Sequence, residues 1–425
     1  MRALGVELRR GPGLPAFPLL VLLQAFGTRQ LLWPGSRVWE NATSALVGAV
    51  QLVGPIAAGL AAWAAGRQGR RGTSYLPELA ARPVWHAAGA QLVASAAWPL
   101  AAYLLVSVGV FGWTAAGATW QAGPDLLWWA AGGAGLALHS VLGDVAGRSV
   151  PRPWLPPLAA VACYGVVAWN LSKAGREWYF LSPVTVQLES LFRDVDNQLF
   201  LGQLAWYAGL AVLAVAAWAL VATTDSHTVP ATAVALGLVA TVIGGLVVTS
   251  THGRPFVGKP TALRYRCAGT APQVCVHPAF AEALPELQRQ FTTLARRLAG
   301  TPAGFTRIEQ RPRGVGSTPS LGAAAFHLDS LERDYPLLAA AEYLDEHLGG
   351  GAACTDDSDD ARAGADYALL VRAWLLDRAL FIPATDDERR ALRWFLERTD
   401  GERSQWLRVH FPKLTTCTLG PEDFR

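Results

Sequence analysis

Seven long apolar stretches occupy the chain up to about Ser250, at Leu14 to Leu32, Thr43 to Ala65, Val84 to Val110, Pro124 to Leu142, Trp154 to Asn170, Gly202 to Ala222 and Val229 to Thr249. Each approaches the roughly 20 residues that a helix needs to cross a hydrocarbon core, and none carries Lys, Asp or Glu well inside it. After Ser250 the pattern changes to short alternating runs and amphipathic periods, as in a water-soluble fold. The expected fold class is mainly α: a polytopic helical membrane domain of about seven spans, residues 1–250, followed by a soluble α+β domain, residues 251–425.

In the soluble part, Val274 to Val276, Gly304 to Gln310 and Leu321 to Leu328 read as strands. Phe280, Leu284, Leu287, Phe291, Leu294 and Leu298 fall on one helical face that ends at Gly300, with Pro285 kinking or delaying the start. A second helix is expected from about Ala361 to Phe381, burying Tyr367, Leu370, Val371 and Trp374. Thr385 with Glu388, and Thr399 with Glu402, have capping-box spacing and mark two further helices. Between the fifth and sixth apolar stretches, Leu188, Leu191, Phe192, Val195, Leu199 and Phe200 recur at helical spacing, which predicts an amphipathic helix at a membrane interface.

Composition agrees with a membrane chain, since 52% hydrophobic and 16% charged residues are too apolar a mixture for an ordinary soluble protein. Of 17 tryptophans, Trp33, Trp113, Trp120, Trp154 and Trp178 sit near the expected span ends, where an amphipathic ring suits the headgroup layer. The first stretch follows Arg9 and Arg10, lacks a small-x-small cleavage site and is expected to stay as an anchor.

Charge sets the expected orientation. With the N-terminus inside, Arg2, Arg9, Arg10, Arg67, Arg70, Arg71, Arg82, Arg148 and Arg152 lie on the cytoplasmic side, against Arg37, Lys173, Arg176 and Arg193 outside. Seven spans then carry the C-terminal domain out, although Arg254, Lys259, Arg264 and Arg266 directly after the last span favour the opposite side. The cysteines arbitrate, because Cys267, Cys275, Cys354 and Cys417 are an even set in one domain, as an oxidising compartment favours. Four cysteines allow three pairings; Cys267 with Cys275 and Cys354 with Cys417 is the preferred one, and reduced thiols in a cytoplasmic domain are the alternative. Cys163 is expected to be buried in a span. The dominance of arginine over lysine, with abundant alanine and glycine, points to a bacterial plasma membrane as the setting.

Several motifs are weaker than they look. Gly253 to Thr261 nearly spells a phosphate-binding loop, but Pro260 stands where a hydroxyl must reach magnesium and lacks the N–H that cradles phosphate. His327, Asp329, Glu342, Glu346 and His347 lack zinc-ligand spacing, and the acidic run Asp356, Asp357, Asp359 and Asp360 lacks the glycine and distal glutamate of a calcium loop. No Gly-x-Ser-x-Gly elbow occurs. The expectation is therefore no catalytic set, no metal and no cofactor. Positive and negative charges nearly balance from Thr251 onward, which argues against a nucleic-acid face. Within the apolar stretches the polar residues are Gln24, Arg29, Gln51, Gln91 and His139, with Arg29 and His139 placed near span ends.

The loop from Gly66 to Pro83 carries four arginines, one acid and an apolar stripe at Tyr75, Leu76 and Leu79, a pattern that suits the inner membrane face and a cytoplasmic partner, or simply a solvated, orienting loop. Its residues Arg71, Gly72, Thr73, Glu78, Leu79, Arg82 and Pro83 resemble the loop between the second and third spans of permease subunits of ATP-binding cassette exporters of the type 2 class: an arginine-rich turn, Gly-Thr, a short helix with a glutamate, and a closing basic residue and proline, so that Arg70, Arg71, Gly72, Thr73, Glu78 and Arg82 are the expected docking residues. The glutamate stands further from the Gly-Thr pair than in such permeases, and Pro77 interrupts the helix. The resemblance spans about the first 222 residues in topology and implies a membrane subunit that works as a homo- or heterodimer, with the ATPase on a separate chain meeting this loop. The seventh span and the C-terminal domain depart from the six-span plan. The alternative is a non-transporting membrane anchor for an outer domain that binds, senses or assembles.

Overall fold

The computed structural model describes residues 2–73, 84–120, 123–172, 178–182, 191–222, 228–251, 256–260, 264–312, 324–348, 359–377 and 381–425. The chain forms two compact units, Met1–Leu32 with Arg37–Thr261, and Trp33–Ser36 with Ala262–Arg425.

The first unit is a helix bundle: α1 (Arg2–Arg10), α2 (Gly13–Leu31), α3 (Trp39–Gly48), α4 (Val50–Ala65), α5 (Arg67–Arg70), α6 (Val84–Ala115), α7 (Leu126–Ser149), α8 (Leu155–Leu171), α9 (Asn197–Ala222) and α10 (Thr228–Ser250). Every apolar stretch read from the sequence is a helix. Five spans, Trp39–Ala65 across α3 and α4, Ala88–Ala115 in α6, and α7, α9 and α10, are long and apolar enough to cross a membrane; α1 and α2, bent by 64° at Gly11–Pro12, make a sixth if taken as one, and α8 is shorter. Pro18, Pro55 and Pro99 lie inside α2, α4 and α6, which neighbouring helices permit in such bundles.

Contacts within this unit fix the direction of each long helix. Gly54 packs on the His139 ring, Gly143 on the Ala58 carbonyl and Gly147 on that of Ala62. Progress along both helices is in step, so α4 and α7 run parallel, and glycine lets the backbones meet. Gln91 Nε2 donates to Ala64 O at 2.7 Å, which brings the start of α6 to the C-terminal ends of α4 and α7, while Phe111 near its far end meets Trp39. Trp98 Nε1 donates to Leu8 O at 3.2 Å and Gln24 Nε2 to Leu46 O at 2.9 Å, so α2 runs alongside α6 and against α3. At its start, α8 lies by Gly59 through Pro156, and at its end Leu171 joins the cluster of Trp128, Phe180, Phe200 and Val248. Phe200 stacks on Trp128 at 5.5 Å near the start of α9, whose far end places Trp218 under Arg148. Finally α10 returns along α9, with Gly237 on Leu213, Gly209 on Thr241 and Gly202 on Val248. Successive long helices therefore alternate in direction, and α1, α5 and the junction of α7 with α8 share one end.

That end carries Arg9, Arg10, Arg67, Arg70, Arg71, Arg148 and Arg152, whereas Arg37 and Arg193 lie at the other. Three expectations are corrected. The helices outrun the apolar stretches, so Asp144 in α7 and Glu40 in the first turn of α3 are buried acids within helices expected to hold none, and His139 is interior rather than near an end. The expected amphipathic helix is partly a strand: β1 (Arg193–Val195) pairs antiparallel with β2 (Phe256–Pro260), and among the described members of its apolar set Leu199 and Phe200 alone are helical, in α9, while Leu188 lies outside the described residues. Cys163 on α8 is half-buried and free. The same β2 holds Gly258, Lys259 and Pro260, so this part of the near phosphate loop is extended strand.

The second unit is α+β. Strands β3 (Arg266–Ala268), β4 (Gln273–Val276), β5 (Arg307–Gln310) and β6 (Ala324–Phe326) form one sheet in that order, with β3 antiparallel to β4 and the other pairs parallel. Between β4 and β5 the chain crosses over through a 3-10 turn at Pro278–Ala283 and α11 (Leu284–Leu298), which starts with Pro285 in its first turn and stops before Gly300 at φ +80°. Its apolar stripe buries Leu287, Phe291, Leu294 and Leu298, with the Phe291 ring 4.9 Å from that of Phe326 on β6. Then follow α12 (Tyr335–His347), α13 (Asp359–Leu375), α14 (Asp386–Leu396) and α15 (Asp400–Thr415). Helix α13 buries Tyr367, Leu370, Val371 and Trp374, but ends six residues before the expected Phe381, where Asp377 turns to φ +58°. Thr385 and Thr399 both form capping boxes, with Glu388 and Glu402.

Candidate functional site at the arginine-rich end of the bundle

Helix α4 ends at Ala65, and Gly66 leads into the single turn of α5 because a side chain there would strike the Gly147 carbonyl of α7 at 3.0 Å. The chain then reverses at Gly72, whose φ of +63° suits glycine. Thr73 closes the turn, its N–H donating to Gln68 O at 3.0 Å and its hydroxyl to the same oxygen at 3.3 Å. Arg70, Arg71, Gly72 and Thr73 thus share one hydrogen-bonded turn, while Glu78 and Arg82 lie outside the described residues.

The arginines of this end have different employments. Arg67 pairs with Glu7 of α1 at 3.1 Å, tying the N-terminal helix to the turn. Arg70, expected to be solvated, is half-buried: it donates to Trp63 O at 2.5 Å and lies over the Trp63 ring at 4.4 Å. An exposed indole about two helical turns earlier attracts the guanidinium face and shields it from water. This burial, and then the charges of Arg67 and Arg71, hold the Arg70 pKa below the ordinary arginine value, which leaves it cationic. Arg71 is exposed.

Below the turn lies a cluster that the sequence reading missed. Arg148 Nε donates to Asp144 Oδ2 at 2.5 Å and its Nη2 to Asp144 Oδ1 at 3.2 Å, to Ala88 O at 3.0 Å and to Gln91 Oε1 at 3.3 Å. The guanidinium also faces the Trp218 ring of α9 at 5.2 Å. Asp144 is 2% exposed and Arg148 12%. Removing ions from water costs several kcal/mol, and only this dense set of bonds offsets the loss. Gln91 then continues to Ala64 O, one residue before the end of α4. The turn, α4, α6, α7 and α9 are thereby joined by polar contacts. The signal was available: Asp144 and Arg148 are one helical turn apart directly after an apolar run, a spacing that pairs on a helix.

In the second unit, Cys267 and Cys275 stand opposite each other on β3 and β4, Cα atoms 4.1 Å apart, and form a disulfide. Cys417 is also disulfide-bonded, and Cys354, its expected partner, lies outside the described residues. No group of His, Cys, Asp or Glu placed to hold a metal ion occurs among the described residues.

No protein-family model matches this chain, and no curated protein and no solved structure is significantly similar to it.

Proposed function

We propose that this chain is the membrane subunit of an ATP-driven export system in a bacterial plasma membrane, with the ATPase on a separate chain that docks at the arginine-rich end. The observation that carries the reading is the hydrogen-bonded turn Gly66–Thr73, which leaves Arg71 exposed and directly follows the end of α4, where Ala64 is joined through Gln91 and Arg148 to helices α6, α7 and α9. Force applied to such a turn reaches the bundle rather than dissipating in a loose loop. In this reading the helices cross seven times, the arginine-rich end is cytoplasmic, and the disulfide-bearing second unit is extracytoplasmic, where it receives or senses cargo. Two copies, or one with a related subunit, build the path.

A specific observation favours a second reading, a non-transporting anchor for the outer unit. The polar side chains inside the bundle are largely consumed by internal bonds: Gln24 to Leu46 O, Gln203 to Phe180 O, and Gln91 with Arg148 and Asp144.

Purification of the full chain in mild detergent separates the two. The export reading expects a cassette ATPase to copurify, at a level that falls at least tenfold in Arg71→Glu with the protein still folded. Copurification of no such ATPase, or one indifferent to Arg71→Glu, favours the anchor. A cytoplasm-only reporter fused after Arg425 is expected to be silent, and signal from it overturns the seven-span topology.

A further inference from the structure

Helix α1 has two faces with different employments. Its inner face is committed to the bundle: Leu8 O accepts from Trp98 Nε1 and Glu7 pairs with Arg67. Its outer face carries Val6, 50% exposed, with Arg9 and Arg10 three and four residues on, hence beside it on the helix surface. Both arginines are exposed, and neither has an ion pair or side-chain hydrogen bond among the described residues. Arg67, Arg70 and Arg148 at the same end are each engaged with Glu7, Trp63 or Asp144. The helix also stands at 64° to α2, so when α2 crosses a bilayer α1 lies closer to the membrane plane.

An apolar residue between two unengaged cations, on a helix inclined toward the interface, is the arrangement of a lipid-surface helix: the apolar side chain enters the acyl boundary and the long arginine stems carry their charges up to the headgroups. We infer that the outer face of α1 is a binding site for anionic phospholipid headgroups of the leaflet at the arginine-rich end. The cleft behind α1, between Gly13, Leu60, Gln91 and Trp98, has room for little more than a water molecule, so the lipid lies on the outer face and not within the bundle. This site depends on the chain being in a membrane and is independent of whether it transports.

Each surface arginine contributes about fivefold to binding an anionic membrane surface. The full-length protein, held in mild detergent with equal phosphatidylglycerol and phosphatidylethanolamine and read by native mass spectrometry, is expected to retain phosphatidylglycerol preferentially. Arg9→Gln with Arg10→Gln is expected to reduce that preference by tenfold or more, Arg9→Lys with Arg10→Lys to keep most of it, and Arg152→Gln, a single exposed arginine at the same end but off α1, to reduce it by no more than about fivefold. Unaltered tryptophan fluorescence and thermal midpoint, expected because both side chains are exposed, show that the double variant is folded. Equal retention of both lipids by the unaltered protein overturns the assignment. So does a preference that survives Arg9→Gln with Arg10→Gln, or falls equally in Arg152→Gln. A double variant that loses a copurifying ATPase while keeping its lipid preference makes the face a protein dock and also overturns it.

Discussion

The two units present different surfaces. In the helix bundle, α10 presents Leu236, Val239, Val242, Ile243 and Leu246 outward, each about half exposed or more, while Gln24, Gln203 and Asp144 are almost fully buried. In the C-terminal unit, Phe291, Leu294, Phe326 and Tyr343 are inside, and exposed arginines such as Arg389 and Arg390 pair with Asp386 and Asp387 of the same helix turn. An ionic contact therefore carries different weight in each unit. A pair whose alternative is water contributes little, whereas a pair whose alternative is a low-dielectric interior must stay intact once it is built.

Removing one partner of an ion pair from each unit is expected to have very different effects. Asp144→Ala leaves Arg148 buried without its carboxylate, and a loss of about 3–5 kcal/mol is expected, read as a fall in the thermal midpoint of the detergent-solubilised protein. Lys413→Met removes the 46%-exposed partner of Asp423 and is expected to cost much less. Equal losses in the two variants would sink the contrast.

A middle-sized effect belongs to the covalent staple of the second unit. The eight-residue separation of Cys267 and Cys275 closes a short loop, for which restriction of the unfolded chain contributes about 2–3 kcal/mol. Cys267→Ser with Cys275→Ser is expected to lower the unfolding midpoint of the C-terminal unit, followed by its own tryptophans, and to leave the bundle's helical signal unchanged. A parallel loss in both units would show that they unfold together.

The smallest effect is a pH dependence confined to the C-terminal unit. Burial alone would raise the Asp423 carboxyl, but the Lys413 ammonium at 2.6 Å, the Gly420 N–H at 2.9 Å and the His410 ring hold it below the ordinary carboxylate value. Lys413 is in turn raised, first by its bond to Asp423. A lowered acid contributes stability that is present above its unfolded pKa, about 4, and is lost as pH falls through the folded value. A raised base contributes stability that is complete below about 10.4 and is lost as pH rises through the folded value. The tie of the C-terminus to α15, completed by Trp406 Nε1 donating to Asp423 O at 2.7 Å, is therefore expected to be constant between about pH 5 and 10 and to weaken on either side. In Asp423→Asn the acid-side weakening is expected to vanish from a thermal-midpoint profile between pH 5 and 3, and its persistence would assign the effect to other carboxylates.

Much of the architecture was legible because its causes are local. An apolar run of helical length has one way to satisfy its backbone in a bilayer, and all seven runs are helices. Threonine three residues before glutamate satisfies end N–H groups wherever it occurs, and both capping boxes are present. The strands at Gln273–Val276 and Arg307–Gln310 follow from alternation and β-branched content, and the close pairing of Cys267 with Cys275 from their spacing on one hairpin. The arginine-rich Gly-Thr turn was likewise visible as a candidate site.

Other features depend on neighbours far along the chain, and only the tertiary structure decided them. Arg193–Val195 has helical spacing, yet it is a strand because β2, more than 60 residues later, offers it a partner ladder. Asp144 falls beyond the apolar run, and its helix continues because Gln91, Ala88 and Trp218, from two other helices, surround the charge of Arg148 and make the pair tolerable inside. Arg70 reads as a solvated loop charge but is taken up by Trp63. Sequence alone thus determined where apolar matter must leave water and which residue types could carry charge at each end. Which of those charges are spent inside the fold and which remain for a partner is set by long-range contacts, since the cost of burying an ion is met only by groups that folding brings to it.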